Sequence, residues 1–267
     1  MDVSLIIGVV FALASLLMGF MLEGGKLLSL MLLSPLIIVL GGTIGAVVAS
    51  FSFQDIAQAF KTLRKTFNPK ASGDPDEIIQ TIADLSDASR RDGINTIENC
   101  LTDPALSGEQ YLLFKEGLIL ILERKTVDEI RYILDADIRA YVMQKQVEIN
   151  VFESAGGFSP TLGIIGTVLG LIQVLSNFSS PEELTSSIAV AFVATLYGVS
   201  FANLIYFPMA NKIKVYLKRQ RILKEMIMDG VCMIANGAFS RSVKNELSLY
   251  YNAFPDGSSK YIDNIEN

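Results

Sequence analysis

Hydrophobic positions along this chain gather into four charge-free blocks separated by polar stretches. Val3 to Leu22 is 20 residues without a charge. A helix of that length spans about 30 Å, the thickness of a bilayer's hydrocarbon core. Asp2 precedes the block and Glu23, Gly24, Gly25 and Lys26 follow it. A secretory signal would have a basic start and a small-residue cleavage site. Neither is present, so the block reads as a retained span. Leu27 to Phe53 forms the second block. Within it, Ser34 and Pro35 read as an N-cap followed by proline at the first helical position. The second span is therefore expected over about 35–53, with Leu27 to Leu33 lying along the membrane face. The third block is 156–178 and the fourth is 187–208. Ser179, Ser180, Pro181, Glu182 and Glu183 form a short polar turn between them.

The polar stretches also read as helix. Asp74, Pro75 and Glu77 form a cap, a first-position proline and a third-position acid, opening a helix through about Arg91. Gly93 breaks it, and a short helix follows to Cys100. Glu109 to Glu123 is a further helix. Thr126 and Glu129 have capping-box spacing, and Ile130, Ile133, Leu134, Ile138 and Val142 recur at helical period beyond them. No proline follows until Pro160, so this helix is expected to run straight toward the third span. After Pro208 a helix continues to about Phe239, and Pro255 to Asn267 reads as disordered. The fold class is thus all-α: an integral membrane protein with four transmembrane helices in two hairpins, 1–53 and 151–210. A helical cytoplasmic domain fills 54–150, and a cytoplasmic helix and tail fill 211–267.

Charge placement orients the hairpins. The segment 54–150 carries 12 Lys and Arg and the tail 211–267 carries nine, whereas the two short loops between paired spans carry only Lys26. The cluster Lys212, Lys214, Lys218, Arg219, Arg221 and Lys224 follows directly on the fourth span. The positive-inside rule then places both termini and the 54–150 segment in the cytoplasm. A net charge of −6 argues against a nucleic-acid partner.

Composition removes most catalytic chemistry. The chain has no His and two Cys far apart, Cys100 and Cys232. That leaves no imidazole metal site, no Ser–His or Cys–His pair and no disulfide framework. No phosphate-cradling glycine loop is present, and no cofactor is expected. The reading is of a membrane protein that is not an enzyme. Ion pathways normally display an Asp, Glu, Lys or His at membrane depth. None of the four blocks has one. If ions move here, another chain must supply the titratable group. What the spans offer instead is small and hydroxyl residues: Gly163, Gly166 and Gly170, then Ala191, Ala194, Gly198 and Ala202, and Gly41 with Gly45. These spacings permit close helix approach. Thr167 and Thr195 are the hydroxyls that could line a wet path. Pro160 and Pro208 each sit at the cytoplasmic end of a span, where a helix boundary and a hinge are both open readings.

Ser159-Pro-Thr-Leu-Gly-Ile-Ile-Gly-Thr-Val-Leu-Gly170, then Ala191-Phe-Val-Ala-Thr-Leu-Tyr-Gly198 and the later Pro208, resemble the MotA family of flagellar motor stator subunits. Ser89 to Gly93, followed by Glu98, resembles that family's charged cytoplasmic segment. The likeness covers nearly the whole chain. It implies a bacterial inner-membrane protein and a ring of five around two copies of a single-span MotB-like partner, whose membrane Asp binds the coupling ion. By the same resemblance, Thr167 and Thr195 belong to the ion pathway, Pro160 and Pro208 couple ion passage to movement, and Arg90 and Glu98 meet the rotor protein FliG. The coupling ion is a proton or sodium. The alternative is the TolQ/ExbB type of envelope energy transducer, which has one span before its cytoplasmic unit. Two spans before residue 54 argue against it.

Overall fold

The computed structural model describes residues 3–67, 73–106, 108–176 and 181–250, with the backbone alone for Ala105 and 181–187. The predicted turn at Ser179 and Ser180 and the tail from Pro255 lie outside these residues. All regular elements among the described residues are helical. They are α1 (Ser4–Leu22), α2 (Leu33–Ser50), α3 (Phe53–Thr66), α4 (Pro75–Asp92), α5 (Asn95–Leu101), α6 (Leu112–Leu122) and α7 (Val127–Ser176). After these come α8, composed of Pro181–Phe201, Ala202–Tyr206 and Phe207–Ala235, and α9 (Ser240–Ser248). Short 3₁₀ turns lie at Leu27–Leu30, Pro104–Leu106 and Glu109–Tyr111. Among the described residues four helices are long and apolar enough to cross a membrane: α1, α2, α7 and α8.

Local sequence explains most boundaries. The side chain of Asp74 accepts from the Asp76 N–H at 3.0 Å, and Pro75 opens α4. The Thr126 hydroxyl accepts from the Glu129 N–H while the Glu129 carboxylate accepts from the Thr126 N–H at 2.8 Å, closing the capping box ahead of α7. Ser52 and Asp55 make the same reciprocal cap for α3. Two expectations need correction. Leu32, not Ser34, is the N-cap of α2, which places Pro35 at the third helical position. That position still lies in the first turn, where the missing N–H has no intrahelical acceptor to lose. At Pro160, where a boundary and a hinge were both open, the 50-residue helix α7 continues without a break. The helix after Pro208 stops at Ala235 rather than Phe239. There the N–H groups of Gly237 and Ala238 return to the carbonyls of Ile234 and Met233. This paired return needs a left-handed residue at Gly237, where φ is +67°.

The chain divides into two compact units, Met1–Phe67 with Lys145–Lys214 and Asn68–Gln144 with Val215–Asn267. In the first, apolar side chains point mostly outward. The helix α1 has a mean hydropathy of 2.7 and no buried residue. Such a surface is stable in hydrocarbon and not in water. The polar ends of three segments lie at one level of this unit. Glu153 pairs with Lys214, and Lys212 donates to the Ser4 hydroxyl at 2.9 Å. The second unit has a conventional interior. Ile79, Ile82, Phe114, Leu118, Met226 and Val231 are fully buried in one cluster. Each such side chain contributes about 1.5–3 kcal/mol.

Candidate functional site

The paired small residues set the geometry of the spans. A Cβ on Gly163 would lie 2.9 Å from the Ala194 carbonyl oxygen, and one on Gly198 would lie 2.6 Å from the Ser159 carbonyl oxygen. The α7 and α8 backbones therefore touch, and only glycine fits at these two positions. The fully buried Ser159 donates to the Gly198 carbonyl at 2.9 Å. Gly170 and Gly166 lie against the methyl groups of Ala191 and Ala194. The expected Gly41 and Gly45 face meets nothing within this chain, whereas Gly42 lies against Leu162. A wide π-helical turn covers Ile37–Gly41, just before Gly42.

This close approach brings Thr167 and Thr195 together. The Thr167 hydroxyl lies 3.0 Å from the Ala191 carbonyl oxygen and 3.1 Å from that of Gly163. Its proton goes to these carbonyls, so its oxygen is left to accept the Thr195 hydroxyl, which it contacts directly. Both threonines are half-buried. Thr167 lies 14 residues beyond Glu153, roughly 21 Å along a helix. The pair therefore sits deep in the apolar part, away from the charged end. It offers hydroxyl lone pairs to a dehydrated cation or to a protonated carboxyl, but it has no group that titrates.

Each of the two prolines weakens a turn of its helix. Pro160 has no N–H to give the Gly156 carbonyl, and Pro208 has none to give the Leu204 carbonyl. In α8 the missing bond is absorbed by a π-helical turn over Ala202–Tyr206, just before Pro208. The Phe207 ring lies against Gly156, where a Cβ would come within 2.6 Å of it. The weakened turns of α7 and α8 are thus in contact.

Arg90 and Glu98 are both exposed, on the last turn of α4 and the first turn of α5. Among the described residues no ion pair joins them. Arg90 instead stacks on Phe239, with its guanidinium carbon 3.5 Å from the ring centroid. The loop that presents Phe239 is tied to α4 by two hydrogen bonds. Ser86 donates to the Ala238 carbonyl at 2.6 Å, and the Ser240 N–H donates to Asp87 at 3.0 Å. Sequence reasoning missed Phe239, because 149 positions separate it from Arg90. It also missed Tyr197, whose hydroxyl donates to the Leu30 carbonyl and accepts from the Leu32 N–H at 3.4 Å. Tyr197 thereby fastens the turn of the first hairpin to α8.

Elsewhere the polar groups are structural. Asp229 accepts from Arg131 at 2.7 Å and from the Tyr250 hydroxyl at 2.5 Å. Burial, with this hydrogen bond and the nearby carboxylate charge, pushes the Tyr250 hydroxyl well above the usual tyrosine range. Burial also raises the Cys232 thiol, which leaves it protonated and inert. No group of three or more carboxylate or thiol side chains converges as a metal site among the described residues.

Comparison with known proteins places this arrangement. Residues 6–93 match the Motility protein A N-terminal family, and residues 107–226 match the MotA/TolQ/ExbB proton channel family. Motility protein A of Bacillus subtilis is 30% identical over 94% of this chain and 91% of its own length. A chain in the structure of C. jejuni MotAB superposes with a TM-score of 0.86 at 26% identity, covering 97% of this chain and 100% of that one. The flagellar MotAB stator complex from Bacillus subtilis gives a TM-score of 0.81 at 29% identity, covering 92% and 94%. Fold, close-packed spans and sequence agree, and the chain belongs to the Motility protein A family.

Proposed function

We propose that this chain is the ion-path and torque subunit of a bacterial flagellar stator. The observation that carries the reading is the Thr167–Thr195 hydroxyl pair, set between two spans that hold no charged residue. A path with hydroxyls and no acid is half of an ion site. A single-span MotB-like partner supplies the other half, a membrane Asp that is neutralised by the arriving proton or sodium ion. Neutralisation removes the cost of a bare charge in the membrane, and one charge crossing 100 mV releases about 2.3 kcal/mol. Five copies of this chain surround two partners. The ring steps past the neutralised acid, and the touching turns at Pro160 and Pro208 carry the step toward the second unit. Arg90 and Glu98 there meet charges on FliG. Such contacts must be exposed and individually weak, since each breaks at every step. The basic cluster after Pro208 favours placing the second unit in the cytoplasm and the spans in the inner membrane. Two candidate spans before residue 53 favour the stator over the TolQ/ExbB type.

The test is the native mass of this 29.2 kDa chain co-expressed with an Asp-bearing single-span partner in mild detergent. A complex of five chains and two partners is expected. A monomer, or a ring that ignores the partner, would overturn the reading.

A further inference from the structure

The first unit contains an apolar cleft of about 120 Å³ near the charged end of its spans. Ile44 and Val48 of α2, Ile56 and Phe60 of α3, Phe152 of α7 and Tyr206 of α8 line it. Thr43 also borders it, but its hydroxyl is spent on the Val39 carbonyl at 2.6 Å. The cleft lies beside Glu153 and its partner Lys214, at the level where the apolar part of the bundle ends. This is the depth of the first methylenes of a phospholipid.

The helix α3 closes the cleft and has two distinct faces. Ala59, Thr62, Leu63 and Thr66 are buried. Phe53 and Phe60 lie on a second face and are 77% and 56% exposed. One turn beyond Phe60, on the same stripe, is Arg64, and Lys61 lies beside it; both are exposed. An exposed aromatic stripe flanked by basic residues is the pattern of a helix lying in a membrane interface. The acid nearest this stripe, Asp55, is committed to the Ser52 cap. The exposed charge around the cleft mouth on α3 is therefore positive.

We propose that the cleft is a binding site for one acyl chain of an anionic phospholipid, with the phosphate held by Arg64 and Lys61. A positive rim beside an apolar cleft, at the level where the apolar surface ends, matches the anionic headgroup and acyl tail of one such lipid; a second copy seated there is the occupant the labelling experiment separates from it. The site sits against the π-helical turn at Ala202–Tyr206 through Tyr206, so its occupancy bears on the region next to Pro208. The inference requires that the spans cross a bilayer. It does not require that the chain generates torque.

The experiment uses the full chain co-expressed with its partner, stripped of lipid in detergent and titrated with phosphatidylglycerol or phosphatidylcholine in native mass spectrometry. Phosphatidylglycerol is expected to bind preferentially. Lys61→Gln with Arg64→Gln should reduce that binding at least tenfold, since each basic residue near a membrane surface is worth roughly fivefold. Val48→Phe, which fills the cleft from an exposed position, should reduce binding of both lipids. In a second measurement, Phe60 is replaced by photoreactive benzoylphenylalanine and the membranes are irradiated; labelling of phospholipid is expected. Equal binding of both lipids, no effect of the double substitution, or labelling of a second copy instead of lipid would each overturn the proposal.

Discussion

Gly198→Ala is the sharpest probe of how the spans are built. The added methyl would lie 2.6 Å from the Ser159 carbonyl oxygen and 3.0 Å from the Gly163 Cα. Both neighbours are backbone, so neither can rotate away and the helices must separate. Overpacking of this kind costs about 1–3 kcal/mol. Separation also weakens the Ser159 bond to the Gly198 carbonyl, worth about 1 kcal/mol. Alanine recovers about 0.5–1 kcal/mol through its better helix propensity. The balance is a destabilisation of about 1–3 kcal/mol. Gly41→Ala is the matched control, because nothing of this chain lies within 4 Å of its Cβ position. It should be neutral or stabilise by up to about 1 kcal/mol. The assay is reversible unfolding of the purified chain in mixed micelles with increasing denaturing detergent, followed by circular dichroism. If Gly198→Ala unfolds no earlier than Gly41→Ala, the close approach of α7 and α8 is wrong, and with it the alignment of the threonines.

Other predictions follow the same geometry. Thr195→Val keeps the shape of the side chain but removes its hydroxyl; ion-driven swimming should fall at least tenfold while stability changes by about 1 kcal/mol, and Thr195→Ser should restore most swimming. Equal swimming in the valine and serine variants would remove Thr195 from the path. Phe239→Ala takes away the surface that orients Arg90, an exposed cation–π contact worth about 0.5–1 kcal/mol. Bead-rotation torque should drop, Phe239→Tyr should recover it, and undiminished torque in Phe239→Ala would mean that Arg90 needs no platform. Tyr250 has a hydroxyl raised above its unfolded value near 10. Its contribution is therefore complete below pH 10 and is lost as the pH climbs above that. Alkaline unfolding should set in less steeply for Tyr250→Phe, and parallel pH curves for the two proteins would refute this.

The helical fold was legible because its signals are local. The four apolar blocks, the Asp74–Pro75 start and the Thr126–Glu129 box each depend on residues within one or two turns; the start and the box lie where they were expected, and the second span lies at Leu33–Ser50 against an expected 35–53. Gly163, Gly166, Gly170 and Gly198 were legible as a class, since small residues at three- and four-residue steps permit contact. Their partners were not. Gly41 and Gly45 have the same spacing but meet nothing in this chain, because spacing marks a face that permits contact without naming the helix that covers it. Pro160 left a boundary and a hinge both open, because sequence cannot say whether neighbouring packing will hold a helix together across a missing hydrogen bond; the helix runs through it. The Arg90–Phe239 stack and the Tyr197 clamp join residues far apart in the chain, and no local pattern announces either.

In the proposed stator the spans provide a path with hydroxyls and no acid, so that ions move only when a partner brings one. The direct measurement is ion flux into liposomes under an imposed potential, for the chain alone and for the chain with its Asp-bearing partner. Negligible flux from the chain alone and clear flux from the complex, abolished by Thr195→Val, is the expected result. A steady current through the chain by itself would contradict the account.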